Sequence, residues 1–453
     1  MASKERFQPP KGMRDFYPAD MAVRRYIEGV WREVSINHGF EEVDGPTFEH
    51  LDLYTHKSGP GIVSEIFQTF SGKDEEELAK IRAGSDAPFA LRPEFTPTLA
   101  RMVAAKAAEL PKPIKWFAIP SHFRAERPQR GRLREFYQWN VDFIGGEVDA
   151  AKADAEVIAV AVGALEKLGL PSRDVTVKIS HRGLVLSMFA ACGLDPTAAD
   201  RALALLDKRG KIKEGELNAQ AEAMGFRMTA FDDLAAESSS VINGFMAARE
   251  QGAPPSRTEF SSADIQQLLL LVDALNEGDV LQWCEFDLSI VRGLAYYTGT
   301  VFEIIAEGER AVAGGGRYDR LIESFGGPSL PACGFGMGDV VLGILLHEKG
   351  LLPDEVVMAT QRPHAFVIAA NDDAAAQLPV LVSRLRRAGF HVRHSYRATR
   401  NVGKLLGEAG KCRARYAVIL GDELKENAVA VKNLDGGEQT VVALDSLEDT
   451  LRG

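Results

Sequence analysis

The chain is poor in cysteine. Cys192, Cys284, Cys333 and Cys412 are the only four among 453 residues, and no two form a CxxC pair. A disulfide framework or a zinc site is thereby disfavoured, and a reducing compartment, the cytoplasm, is the expectation. No apolar run approaches the ~20 residues that span a bilayer, so no membrane contact is expected. Met1 to Asp20 is polar and proline-containing, without the apolar centre of a signal peptide. A basic excess is missing too. Formal net charge is −11, which argues against a protein that coats nucleic acid non-specifically but permits a local basic surface. Composition is otherwise that of a globular protein, with length for about two or three domains.

The most informative stretch runs from Phe123 to Asp142. It reads as two strands joined by a basic loop. Along the second strand Tyr137, Trp139, Val141 and Phe143 take one face, and Arg134, Gln138, Asn140 and Asp142 take the other. Such a polar row suits either a solvent-facing hairpin or a wall that meets a ligand. Arg124, Arg130, Arg132 and Arg134 surround the loop, with fork-shaped donors suited to phosphate or carboxylate.

Other segments supply the frame. Residues 21–38 predict a helix with Val23, Ile27, Val30, Trp31 and Val34 on one stripe, stopped by Gly39. An extended run follows from Phe40 to Phe48, with Pro46 suiting an edge or an interface. Residues 73–83 read as a solvated helix, 151–168 as an apolar helix and Val175–Ile179 as a strand. Leu91-Arg92-Pro93-Glu94-Phe95-Thr96-Pro97 is a short turn bracketed by prolines. It presents Glu94 and Thr96, with Thr96 a candidate helix N-cap. From about 183 to 280 the pattern is mostly helical, with a polar break at Ser238-Ser239-Ser240. Three glycine-bearing or aromatic runs follow: Arg292-Gly293-Leu294-Ala295-Tyr296-Tyr297-Thr298-Gly299, Gly314-Gly315-Gly316-Arg317-Tyr318-Asp319 and Gly334-Phe335-Gly336-Met337-Gly338-Asp339-Val340-Val341-Leu342. As a phosphate loop the triple glycine is weak, since it lacks the usual spacings. Beyond a linker ending near Pro363, strands and helices alternate, suggesting a small α/β domain with a largely parallel sheet core. Its arginines make a credible RNA footprint, with Phe390 and Tyr396 able to stack on bases.

The stretch from Phe123 to Asp142 resembles motif 2 of the class II aminoacyl-tRNA synthetases in the wording of the histidyl-tRNA synthetases. The LRPEFT, RGLAYYTG and GGGRYD runs are similar to further stretches of that family, and the helix from residue 21 with its extended run is similar to motif 1. The resemblance implies an α+β fold. A class II antiparallel-sheet catalytic core would occupy residues 1–355, with a helical insertion at about 183–280, and an α/β anticodon-binding domain would occupy 362–453. It implies a ligase that activates histidine with ATP and transfers it to tRNA(His), acting as a cytoplasmic homodimer with Mg2+ on the outgoing phosphates and no protein-held metal. Arg124 and Arg292 would be catalytic at the α-phosphate. Histidine would be held by Glu94, Thr96, Arg124, Gln138, Asp142, Arg292, Tyr296, Tyr297 and Tyr318. ATP would be held by Arg124, Arg132, Arg134, Gly336 and Gly338, and tRNA by Gln129, Arg130, Arg397 and Arg400. Two departures stand out. Ala295 replaces a usual aspartate, and Val341 stands where the family's motif 3 carries an arginine that packs on adenine and reaches the γ-phosphate. Arg132, Arg134 and Arg317 are the expected substitutes for that cation. The alternatives are a non-catalytic relative, namely the synthetase-like regulatory subunit of ATP phosphoribosyltransferase, and a tRNA-binding protein without ligase activity.

Overall fold

The computed structural model describes residues 7–209, 212–252, 262–290, 297–357 and 362–452. Two compact units are present. One comprises Met1–Tyr17 and Val23–Pro353, the other Pro18–Ala22 and Asp354–Gly453.

The chain enters through helix α1 (Pro18–Asn37), on which Ile27, Val30, Trp31 and Val34 are buried. Gly39, at φ +75°, ends it. The Phe40 amide reaches back to the Ser35 carbonyl at 2.9 Å, the long capping bond that a left-handed residue permits. The extended run that follows is split at Pro46, a difference from the single run expected. Strand β1 (Glu41–Glu42) pairs parallel with β5 (Ile114–Ala118). Strand β2 (Phe48–His50) belongs instead to a small sheet of order β2-β4-β3, with β3 at Gln68–Thr69 and β4 at Phe89–Leu91. Proline has no amide to donate to a ladder. The carbonyls around it accept from Arg92, whose Nη1 lies 2.8 Å from the Gly45 oxygen. Helices α2 (Leu51–Ser58), α3 (Glu75–Arg82) and α4 (Thr96–Lys106) complete this region.

The main sheet adds β6 (Ser121–Phe123), β7 (Glu135–Ile144), β8 (Val175–His181), β9 (Cys284–Phe286), β10 (Thr300–Ala306), β11 (Ala313–Arg317) and β12 (Ala332–Gly338). Its order is β1-β5-β7-β12-β11-β10-β8-β9, with β6 paired to β7. All pairings are antiparallel except the two at its ends, β1 with β5 and β8 with β9. One face packs on α1 and on α5 (Ala150–Lys167), a helix buried over most of its surface. There Trp139 stacks on Trp31 at 5.8 Å, and its indole N–H donates to Ser35 Oγ at 2.9 Å. The apolar row read in β7 is therefore the core side, and the polar row lies on the other face.

Helices α6 (Arg182–Ala191), α7 (Ala199–Leu206), α8 (Glu214–Ala223), α9 (Met228–Glu250) and α10 (Ala263–Glu277) occupy the predicted helical stretch. The expected break at Ser238-Ser239-Ser240 does not occur, and α9 runs through it. Ser239 Oγ bonds back to the Ala235 carbonyl at 2.7 Å and accepts from the Leu288 amide at 2.9 Å. Its hydroxyl satisfies neighbours instead of breaking the helix. Among the described residues no helix is long and apolar enough to cross a membrane.

After β11 and β12 come α11 (Leu321–Ser324), α12 (Asp339–Glu348) and, in the second unit, α13 (Asp354–Val357). That unit continues with β13 (Ala365–Ala369), α14 (Asp372–Arg387), β14 (Val392–His394), α15 (Val402–Lys411), β15 (Tyr416–Leu420), β16 (Ala428–Asn433), β17 (Gln439–Ala443) and α16 (Leu447–Arg452). Its sheet runs β14-β13-β15-β16-β17. The first three strands are parallel, as expected, but β16 and β17 extend the sheet antiparallel. Phe390 is buried in this core, so it is not available to stack on a base. Tyr396, by contrast, is 89% exposed.

Candidate active site

The face of the main sheet away from α5 is built around glycine. On β12, Gly334, Gly336 and Gly338 stand opposite Asp142, Asn140 and Gln138 of β7. On β11, Gly316 and Gly314 continue the rows of Gly334 and Gly336. The sheet thus has a bare floor two strands wide, with polar β7 side chains along one bank and Glu303, opposite Gly314 on β10, on the other. Room is scarce beside the bank. A Cβ on Gly336 would lie 2.7 Å from Gln138 Nε2, and one on Gly334 would lie 2.4 Å from Asp142 Oδ1. Real Cβ atoms do not tolerate such contacts, so the polar row stands only because the floor has no side chains.

Two adjoining cavities use this floor, of about 440 and 420 Å³. Arg124, Gln138, Tyr297, Gly314 and Gly336 line both. The smaller is closed by Glu94, Thr96, Asn140, Asp142, Tyr318 and Lys57. The larger extends past Arg132, Phe136, Glu303, Arg310, Gly338 and Val341.

Local structure explains how each group arrives. The turn between β4 and α4 is pinned by Arg92, 3% exposed, and by Phe95, 1% exposed, so Glu94 projects into the cavity. Helix α4 begins at Thr96 with Phe95 in the cap position and no side-chain cap, so the N-cap reading of Thr96 fails. Arg124 follows β6. Its guanidinium lies 4.9 Å from the centre of the Phe136 ring, and its Nε donates to the Pro93 carbonyl at 3.2 Å. Arg130 and Gly131 form the tip of the basic loop, where the Gln129 and Arg132 amides and carbonyls exchange bonds of 2.9 and 3.0 Å.

The structure gathers Glu94, Thr96, Arg124, Gln138, Asp142, Tyr297 and Tyr318 around the smaller cavity, and Arg124, Arg132, Gly336 and Gly338 around the larger. Arg134 lines neither; its Nε donates to the Glu126 carbonyl at 3.1 Å. Arg130 is held by Glu309 and by Glu348, the latter at 2.9 Å. Arg397 pairs with Glu408 at 3.2 Å and Arg400 with Asp372 at 3.0 Å, in the second unit. Arg292, Ala295 and Tyr296 lie outside the described residues. Arg317 corrects an expectation. It does not face either cavity but is buried against Asp154, with Nη2 2.7 Å from Oδ1, and it also bonds Asp319. Its role is to brace β11 against α5, which removes it as a substitute for the motif 3 arginine.

Sequence reasoning missed Lys57, Asn140, Glu303 and Arg310. Asn140 stands on the polar row that the sequence assigns with Gln138 and Asp142, although it is not among the expected site residues. Lys57 comes from the end of α2, and its ammonium pairs with Glu94 inside the smaller cavity. No local pattern announces it.

Asp142, 4% exposed, is a buried carboxylate of the site. Complete burial pushes it up to about 7, against the pull of the Tyr318 hydroxyl that donates to it and of Lys57. A carboxyl whose folded value is raised holds its proton more tightly when folded. Its contribution to stability therefore falls as pH rises from about 4 through about 7, and the full cost is felt above that. Asp142→Asn is accordingly expected to raise the melting temperature by several degrees at pH 8 and by little at pH 5. A pH-independent change in thermal melts would contradict this account.

An antiparallel sheet with a glycine floor, a hairpin arginine at the junction of two cavities and a helical segment between β8 and β9 together define a class II aminoacyl-tRNA synthetase fold. Comparison with known proteins narrows the class. Residues 12–338 match the family model for histidyl-tRNA synthetase, and residues 364–453 match that for an anticodon binding domain. The histidine–tRNA ligase of Opitutus terrae is 36% identical over 449 residues, covering 98% of each chain. That of Halorubrum lacusprofundi is 36% identical over 96% of this chain and 95% of its own. A solved histidyl-tRNA synthetase from a Nostoc species superposes with a TM-score of 0.74 over 98% of this chain and 99% of its own, at 23% identity. The chain belongs to the histidyl-tRNA synthetase family.

Proposed function

We propose that this chain is a histidine–tRNA ligase, joining histidine to ATP as histidyl-adenylate and passing the histidyl group to the 3′ end of tRNA(His). The observation that carries this reading is the junction of the two cavities at Arg124. The smaller cavity, lined by Glu94, Asp142 and Tyr318, suits an amino acid with a polar ring. The larger, open and arginine-lined, suits a nucleotide. Glu94 and Thr96 take the α-ammonium, while Gln138, Asp142, Tyr297 and Tyr318 read the side chain, with Tyr296 in support. A carboxylate oxygen of histidine attacks the α-phosphorus, and the bond from that phosphorus to the bridging oxygen of pyrophosphate breaks. Arg124 and Arg292 balance the charge on the α-phosphate, so catalysis is positioning and electrostatic stabilisation. Arg132, Gly336 and Gly338 hold the rest of the nucleotide. Arg134 takes part only if its bond to Glu126 is exchanged for one to a phosphate.

Glu303 would help to hold Mg2+, because this ion is commonly held by one or two carboxylates together with substrate phosphates. When bound it neutralises charge on the outgoing phosphates. Gln129 and Arg130 at the hairpin tip would meet the acceptor end of tRNA, and Arg397 and Arg400 would meet the anticodon arm. A cytoplasmic homodimer is the working form, with 1–355 and 362–453 as its catalytic and anticodon-binding domains. The test is histidine-dependent ATP–pyrophosphate exchange by the purified chain, followed by charging of a tRNA(His) transcript. Exchange without charging would leave an activating enzyme that is not a ligase. Absence of both, with no ATP bound, would favour a non-catalytic relative.

A further inference from the structure

Valine at 341 leaves the far end of the nucleotide cavity without its family cation, and the neighbouring arginines do not fill the gap. Arg317 is buried against Asp154. Arg134 is turned to the Glu126 carbonyl. Arg132 lines the cavity but is paired with the Glu126 carboxylate. Arg130 is held by Glu309 and Glu348.

Arg310 differs from all of these. It lies in the turn between β10 and β11, is exposed, and lines the nucleotide cavity. Among the described residues it makes no ion pair and no hydrogen bond. Its stem lies close to the vacated position. A Cβ built on Gly131 would lie 3.1 Å from Val341 Cγ2 and 3.5 Å from Arg310 Cδ. The arginine stem and the valine therefore converge on one point above the loop tip. Gly131, at φ +71°, leaves that point open. The preceding residue steadies the turn, since Glu309, 13% exposed, pairs with Arg130 of the loop. Glu309 thus ties the turn to the hairpin while Arg310 faces the cavity. A planar, permanently charged fork in that place matches a polyphosphate.

We propose that Arg310 supplies the cation that position 341 lacks, holding the terminal phosphates of ATP from the β10–β11 turn. This rests on the nucleotide reading of the larger cavity. The consequence is that ATP is gripped from two separate hairpins, Arg124 at the α-phosphate and Arg310 at the β- and γ-phosphates.

The test is equilibrium binding of ATP and of AMP, each with Mg2+, to the full chain and to Arg310→Lys, Arg310→Ala and Arg310→Glu. Arg310→Ala is expected to weaken ATP by about tenfold to a hundredfold, the usual effect of losing a bond to a charged group. AMP, lacking the terminal phosphates, should change by about twofold or less, within the scatter of a substitution away from its contacts. ATP affinity should follow side-chain charge, with lysine above alanine and alanine above glutamate. In exchange assays the KM for ATP should rise while the KM for histidine stays level. Because Arg310 is exposed and unpaired, the variants should melt with the wild type. Unchanged ATP affinity in Arg310→Ala, equal losses for ATP and AMP, or an order that ignores charge would overturn the assignment. If the wild type binds neither nucleotide, the nucleotide reading falls with it, whereas ATP binding indifferent to residue 310 overturns only this inference.

Discussion

Arg124→Ala is expected to lower the kcat of histidine-dependent ATP–pyrophosphate exchange by about 10²–10³-fold, the effect of removing one preorganised donor from a developing charge. Among the described residues that line both cavities, Arg124 is the charged one. Its guanidinium is held in advance, over the Phe136 ring at 4.9 Å and by the Pro93 carbonyl at 3.2 Å, so little reorganisation is needed as the reaction proceeds. The loss should fall mainly on kcat, with smaller effects on either KM, because charge on the α-phosphate builds up in the transition state. Arg124→Lys keeps the charge but not the fork and should lie between wild type and alanine. Steady-state exchange with each substrate varied in turn decides the matter. A loss confined to the KM for ATP would recast Arg124 as a binding residue alone.

The second large effect is on folding. Arg317→Ala removes the partner of Asp154, a carboxylate only 5% exposed, and should destabilise the chain by about 3–5 kcal/mol. The pair is close, at 2.7 Å, and Arg317 also donates to the Ala150 carbonyl at 2.8 Å. Burial pushes Asp154 up and the arginine pulls it down, so the orphaned carboxyl of the variant will take a proton more readily. A raised acid loses stability as pH increases, and the deficit should therefore be larger at pH 8 than at pH 5. Urea unfolding at the two pH values measures it. Asp154→Ala with Arg317→Ala should cost less than Arg317→Ala alone, because the double variant strands no charge. A single variant as stable as wild type would mean that the buried pair is dispensable.

The parts of the site that follow a short period were legible before any coordinates. The alternation through Tyr137, Gln138, Trp139, Asn140, Val141 and Asp142 separated the core face of β7 from its ligand face, because a strand turns every second residue outward. The spaced glycines of β12 were read as a motif, but their meaning as an empty floor came from register. Gly336 matters because Asn140 and Gly314 flank it across two strands. Lys57 was invisible, since nothing in the end of α2 encodes a meeting with Glu94, 37 residues away. Arg310 was hidden for the same reason, as a turn residue brought near Val341 by the pairing of β11 with β12. The serines of α9 misled because side-chain hydroxyls near one another usually interrupt a helix, and here they found partners. Phe390 misled because an aromatic residue in a basic segment can face either a base or a core, and only packing decides.

The glycine floor has a further consequence, which concerns variation. Most positions in an active site can be explored in two directions, towards larger and smaller side chains, and activity declines by degrees. At 334 and 336 there is only one direction, and the first step along it, a single methyl group, already collides with Asp142 or Gln138. At 334 the backbone carbonyl of Val141, 2.5 Å from such a carbon, blocks the step outright, whereas at 336 the Gln138 side chain must swing aside and leave its place in the row. The banks differ: Arg310 and Val341 illustrate how a charge can leave one wall and enter from another while the space between them stays empty. Divergence among relatives of this chain is therefore expected to be written in the walls, with the floor inherited unchanged because it has nothing left to lose.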